Sequence, residues 1–146
     1  MGYSFEQHKI TGAIEADDEF WRGLEDGKFQ LPRCSGCQGW TWPAHFRCGH
    51  CGSWDFEWVT MEPRGKVFTY TRTRYAFDRV LERKEDVPYI TVVAEIPEAG
   101  NVRVMGIFRG DEARLKIGAP VRGVILPPSP RSKNYPSIVW ELDLQG

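Results

Sequence analysis

The chain has 146 residues, 41% of them hydrophobic, 27% charged and 13% aromatic, and its 19 basic and 20 acidic residues leave a formal charge of -1. That is one domain or a domain with a small appendage, able to bury roughly two-thirds of its unfolded surface; collagen-like, disordered and coiled-coil compositions are excluded. Charge or Gly/Pro breaks every apolar run short of the about 20 residues a spanning helix needs, and seven acidic residues among the first thirty oppose a secretion signal, so a soluble cytoplasmic protein is expected.

Residues 1–33 read as an acidic, amphipathic entry segment. Asp17 or Asp18 is placed to cap a short helix running to Leu24, with Phe20, Trp21 and Leu24 as its apolar stripe and Gly27 as its stop. That stripe covers either the chain's own core or a partner protein, so Phe20, Trp21, Leu24, Trp40 and Trp42 are the partner-docking candidates.

Residues 34–60 form a cysteine module. Cys34-Ser-Gly-Cys37 and Cys48-Gly-His-Cys51 are two knuckles separated by ten residues. A two-residue gap lets one tight turn aim both sulfurs at one ion, and the longer gap lets a hairpin return the second pair. Four cysteines predict a closed, structural zinc site with no vertex for a catalytic water; disulfides or a rubredoxin-like iron centre are the alternatives. Gly36, Gly49 and Gly52 suit turns of positive φ or crowded sulfurs. Arg33 and Arg47, each beside a cysteine, are placed to offset thiolate charge, and His50 reads as an exposed turn residue. Six aromatics (Trp40, Trp42, Phe46, Trp54, Phe56, Trp58) recur partly at a period of two, which predicts two short hairpins with one buried face.

Residues 61–146 alternate as strands. The expected strands are Val67 to Tyr75, Tyr89 to Ile96, Val102 to Phe108, Pro120 to Leu126 and Ser137 to Leu142, with Glu98 to Asn101 as a hairpin connection and Asp111 to Leu115 as a helical turn stopped by Gly118. In the first strand, Val67, Thr69, Thr71 and Thr73 are expected on one face and Phe68, Tyr70, Arg72 and Arg74 on the other. Five antiparallel strands with that interruption fit an OB-type barrel; a small sandwich or SH3-like barrel would give almost the same string. The fold class is mostly β: an N-terminal helical segment, a rubredoxin-like zinc ribbon and a five-stranded OB-fold barrel.

No nucleophile, base and orienting group assemble in the sequence, and phosphate-loop, dinucleotide and G-x-S-x-G motifs are absent, so no catalytic residue is assigned. His8 and His45 lack a metal signature, and Glu85 with Asp86 read as a solvated loop. Residues 64–84, however, carry seven basic and two acidic residues, Asp78 and Glu82, interleaved with aromatics. Lys66, Arg72, Arg74, Tyr75, Phe77, Arg79, Arg83 and Lys84 are therefore ligand-binding candidates for an anionic, partly stackable ligand such as coenzyme A. The loops Ala76 to Val87 and Pro127 to Pro136, the second with Arg131 and Lys133, border the usual binding face of such a barrel. Single-stranded nucleic acid fits less well because the chain as a whole is not basic. A solvated edge strand is the structural alternative.

The run Phe20-Trp21-x2-Leu24, Leu31-Pro32-Arg33-Cys34-x2-Cys37, Pro43, Cys48-x2-Cys51-Gly52, Trp58 and Gly65-x-Val67-x-Thr69-Tyr70 resembles a family of small acyl-CoA-associated proteins. That family, long catalogued as a domain of unknown function, joins a rubredoxin-like zinc ribbon to an OB-fold. The resemblance continues through Pro88-Tyr89, Gly106 and Leu115-x-Ile117-Gly118-x2-Val121. It implies an accessory subunit, not catalytic as an isolated chain, that assembles with a thiolase-superfamily enzyme or a hot-dog-fold enoyl-CoA hydratase. It also implies that the ribbon and helix organise the partner contact while the barrel shields a path for acyl-CoA. A scaffold that never touches substrate is the remaining expectation.

Overall fold

A computed structural model describes residues 4–9, 15–77, 79 and 81–145, without the side chains of His8 and Glu82. Asp78, counted above in the basic stretch, lies outside the described residues. Two helices, α1 (Phe5–His8) and α2 (Asp18–Glu25), precede a two-stranded antiparallel ladder of β1 (Gln30–Cys34) and β2 (Phe56–Thr60). The remaining strands are β3 (Arg64–Thr73), β4 (Tyr89–Ile96), β5 (Val102–Phe108), β6 (Pro120–Leu126) and β7 (Ser137–Leu142). They close a barrel in the order β3-β4-β5-β7-β6, with β6 pairing back on β3 and a parallel contact between β5 and β7. That closed OB-type order removes the sandwich reading. Among the described residues, no helix is long and apolar enough to cross a membrane.

Helix α2 begins as expected, but Asp17 makes no side-chain cap; its carboxylate accepts a hydrogen bond from Trp21 Nε1 at 3.1 Å. Gly27, at φ +73°, ends the helix, its N–H donating to the Leu24 carbonyl at 3.0 Å. The stripe faces inward. Phe20 and Leu24 are 2% and 1% exposed and share one core with Phe29, Leu31, Val92, Val104 and Trp140. Burial of each stabilises the chain by about 1.5–3 kcal/mol, so these two docking candidates are used by the chain's own core. Trp21 stays half-buried, edge-on to Phe20 and to Tyr135 of the β6–β7 connection. Helix α1, which the sequence pattern does not announce, joins the same row: Phe5 is buried edge-on against Tyr135 at 5.2 Å.

Four barrel strands match their expected bounds. The first does not: β3 starts at Arg64, where it pairs with Arg122, and stops at Thr73. Its register slips between Val67 and Thr69, so Thr69 stands opposite Val93 while Tyr70 and Arg72 stand opposite the buried Val92 and Ile90. One extra residue at Phe68 therefore swaps the two faces beyond it, correcting the expected single row of Val67 and the three threonines. The β4–β5 connection is a 3-10 turn, Pro97–Ala99, followed by Gly100 and Asn101 in left-handed backbone. The expected helical turn is a 3-10 turn, Glu112–Arg114, with Asp111 accepting from the Ala113 N–H.

Within the ribbon the ladder is a single five-residue pairing, and the second expected hairpin reduces to one bridge between Arg33 and Trp40. Because β1 starts at Gln30, the ribbon's sheet reaches back across residue 33 into the entry segment.

Candidate metal centre and ligand cleft

Cys34 ends β1, Cys37 lies in the turn after it, and Cys48 and Cys51 form the second turn, so the ladder brings both knuckles to one end. All four Sγ atoms lie within 4.8 Å of one another. Cys34 is 3.5 Å from Cys51, and Cys37 is 3.7 Å from Cys48. Those separations are too long for a disulfide at about 2.05 Å and close to the about 3.8 Å edge of a tetrahedron with 2.3 Å metal–sulfur bonds.

The two knuckles repeat one design. Gln38 N–H donates to the Cys34 carbonyl and Gly52 N–H to the Cys48 carbonyl, both at 2.9 Å. Gln38 and Gly52, each four residues past the first cysteine of its knuckle, have φ of +62° and +80°. Of the three glycines singled out, only Gly52 has that backbone; Gly36 instead leaves room, since a Cβ there would stand 3.3 Å from Cys51 Sγ. Backbone N–H groups of Cys37 and Gly36 lower the Cys34 thiol, and those of Cys51 and His50 hold Cys48 down at about 6. Cys37 receives similar help from Gly39, but burial and the other sulfurs keep its thiol up at about 11. Four thiolates this close repel strongly, and a bound cation is what removes that repulsion. The donor set and its spacing fit a closed four-sulfur metal site. Arg33 and Arg47 do not serve the sulfurs alone: Arg33 pairs with Glu57 at 2.6 Å, and Arg47 Nε donates to the Gly52 carbonyl at 3.0 Å.

The basic run of residues 64–84 is contiguous in sequence but divided in space. Lys66 pairs across to Pro120 near the barrel closure. Arg72 forms an ion pair with Glu112. Arg74, Tyr75 and Lys84 border a small cavity of about 260 Å³ with Ala76 and Val87. Tyr75 and Phe77 are 75% and 73% exposed, and Arg79 is exposed.

Arg83 goes elsewhere. It borders a cleft of about 380 Å³ between the β3–β4 and β6–β7 connections, with Tyr89, Ile107, Leu126 and Arg131. Asp86 holds this mouth together by accepting Arg83 at 3.1 Å and pairing with Arg131. Its side chain is only 14% exposed, so it is not the solvated loop residue expected. Sequence reasoning missed that role because the pairing partner Arg131 belongs to the other long loop.

Residues 58–126, from the second half of β2 to the end of β6, match the family described as the ChsH2 C-terminal OB-fold domain. The matched stretch takes in β3, β4, β5 and β6 and ends before β7. The fold likeness extends past the matched stretch. A chain of an Ltp2-ChsH2(DUF35) aldolase superposes with TM-score 0.75 at 21% identity, covering 91% of this chain and 98% of that one. A DUF35 protein of unknown function from Sulfolobus solfataricus superposes with TM-score 0.58 at 23% identity, covering 97% and 93%. At such identities the likeness carries the fold. In sequence, a probable enoyl-CoA hydratase alpha subunit from Thermomonospora curvata is 27% identical over 110 residues. That stretch is 75% of this chain, which spans about a third (33%) of the relative's length.

Proposed function

We propose that the chain is an accessory subunit of an acyl-CoA-processing enzyme whose reacting groups lie on a thiolase-like partner. Supporting this is the ChsH2-type barrel domain, together with a whole-chain fold like that of a subunit named as part of an aldolase. A hydratase partner is the second reading, favoured by the name of the Thermomonospora curvata relative. Both readings share a CoA thioester as substrate class.

In this reading Cys34, Cys37, Cys48 and Cys51 hold a structural zinc ion, which supplies cross-linking and no chemistry of its own. The working division is an entry segment over 1–33, a zinc ribbon over 34–60 and an OB-fold domain over 61–146. Trp21, Trp40 and Trp42, the half-buried members of the docking set, remain the partner-facing candidates.

The observation carrying the ligand proposal is the cleft of about 380 Å³ with Arg83 and Arg131 at its mouth. A CoA phosphate takes guanidinium donors in charge-assisted pairs, while Tyr89, Ile107 and Leu126 offer the apolar wall a pantetheine arm needs. Lys66, Arg72, Arg74, Tyr75, Phe77, Arg79 and Lys84 form the wider candidate surface. The chain would orient the thioester and exclude water while the partner performs the bond changes.

Calorimetric titration with CoA and an acyl-CoA, on the chain and on its complex, tests this. Binding that weakens on Arg83→Ala and Arg131→Ala supports the cleft; no binding in either preparation refutes it.

A further inference from the structure

Among the described residues, β2 leaves one backbone edge open. At its inner edge the ladder bonds run through residues 57 and 59, in step with Met61 N–H to the Phe29 carbonyl and Ser35 N–H to the Asp55 carbonyl. The backbone groups of Phe56, Trp58 and Thr60 therefore point away from β1, and they make no backbone hydrogen bond with any described residue on that side. The opposite edge of β1 is treated differently: Cys34 N–H donates to the Gly39 carbonyl, and Thr41 N–H donates to the Pro32 carbonyl.

Beside the open edge lies a cleft of about 360 Å³, unrelated to the Arg83/Arg131 mouth. One wall is aromatic: Phe56 and Trp58 alternate along β2, and Trp54 and Phe46 stand 68% and 55% exposed. The facing wall, at the start of α2, carries Glu15, Asp18 and Glu19; Lys9 pairs with Asp18 at 3.0 Å and Arg22 with Glu19 at 2.5 Å, so three carboxylates meet two cations. The ribbon's rings already attract guanidinium groups, with Arg47 5.9 Å from the Trp54 centroid and Arg33 5.4 Å from that of Trp40.

We propose that the open edge of β2 and this acidic, aromatic cleft form a docking site for an extended basic segment of a partner chain. The segment adds as a strand to β2, taking affinity from the main-chain groups of Phe56, Trp58 and Thr60. Its alternate side chains fall on the cleft face, where an arginine or lysine meets both ring faces and carboxylates. An acidic segment is repelled by Glu15 and Glu19. The accessory-subunit reading supplies only the source of the segment; the site's chemistry stands without it.

The test titrates the full chain with a blocked peptide of about five residues alternating arginine and valine, long enough to span the edge. Tryptophan fluorescence and the amide shifts of Phe56, Trp58 and Thr60 report binding. The expected result is saturable binding that weakens about tenfold or more with glutamates for arginines, with alternate backbone amides N-methylated, or in the Glu15→Lys/Glu19→Lys chain. Absence of binding up to about 1 mM, equal affinity for the acidic peptide, or indifference to N-methylation overturns the proposal. A chain that takes the basic peptide but never assembles with a thiolase-like protein keeps this site and loses the partner reading. Assembly without peptide binding does the reverse.

Discussion

Gly106 on β5 is the space into which the Trp140 indole on β7 fits. A Cβ at Gly106 would stand 2.9 Å from both Cδ1 and Nε1 of that ring and 2.6 Å from the Ile138 carbonyl oxygen. Trp140 is fully buried, and it meets Phe29 edge-on at 6.4 Å, tying the barrel interior to the residues that follow α2. Because backbone closes the other side, the ring has little freedom to give way. Gly106→Ala should destabilise the chain by about 1–3 kcal/mol as an overpacked core, read as a lowered urea midpoint. An unchanged midpoint would show that β5 and β7 can separate at this point.

Removal of a sulfur should act on the ribbon first. Cys34→Ser leaves a three-sulfur set at the end of β1, and metal content should drop from stoichiometric to near zero. Limited proteolysis should then cut within residues 35–55 while barrel fragments persist. Because Phe20, Leu31 and the barrel share one core, some loss of global stability should accompany this.

Asp86 competes for the same guanidinium groups that an anionic ligand would use. Replacing it with asparagine releases Arg83 and Arg131 from their carboxylate partner. Asp86→Asn should therefore tighten CoA binding several-fold and steepen its decline with salt, measured by titration at two ionic strengths. A weaker affinity would mean that Asp86 acts chiefly by positioning the two arginines.

Acid should loosen the β6–β7 face. Glu141 accepts Arg109 Nη2 at 2.7 Å and lies 3.3 Å from Arg122, and the hydrogen bond from Arg109 leads in holding its carboxyl below the ordinary range. A lowered folded value favours the folded state above the unfolded pKa of about 4.3, and that stabilisation disappears as pH falls through the folded value. Both arginines are largely exposed, so solvent limits the effect to about 1 kcal/mol or less. Glu141→Gln should lower the thermal midpoint slightly at pH 7, and the difference should vanish in acid.

The parts legible in the sequence are those set by short-range pattern. Two C-x2-C pairs identify a four-sulfur cluster directly, and clean alternation with turn residues at both ends sets the bounds of β4, β5, β6 and β7. The bulge at Phe68 leaves no local mark, because one inserted residue in an alternating run looks like alternation. The Phe20/Leu24 stripe reveals an apolar face but not what covers it; only the tertiary placement of Phe29 and Trp140 answers that. Likewise, a basic stretch reads as one surface until folding separates Lys66, Arg72 and Arg83 and joins Arg83 to a distant loop.

The most direct measurement is a steady-state assay of a thiolase-like enzyme that forms a complex with this chain, with and without it. The predicted result is that adding this chain lowers the KM for acyl-CoA or restores turnover, while this chain alone turns over nothing. Unchanged partner kinetics in a formed complex, or acyl-CoA turnover by this chain by itself, would contradict the account.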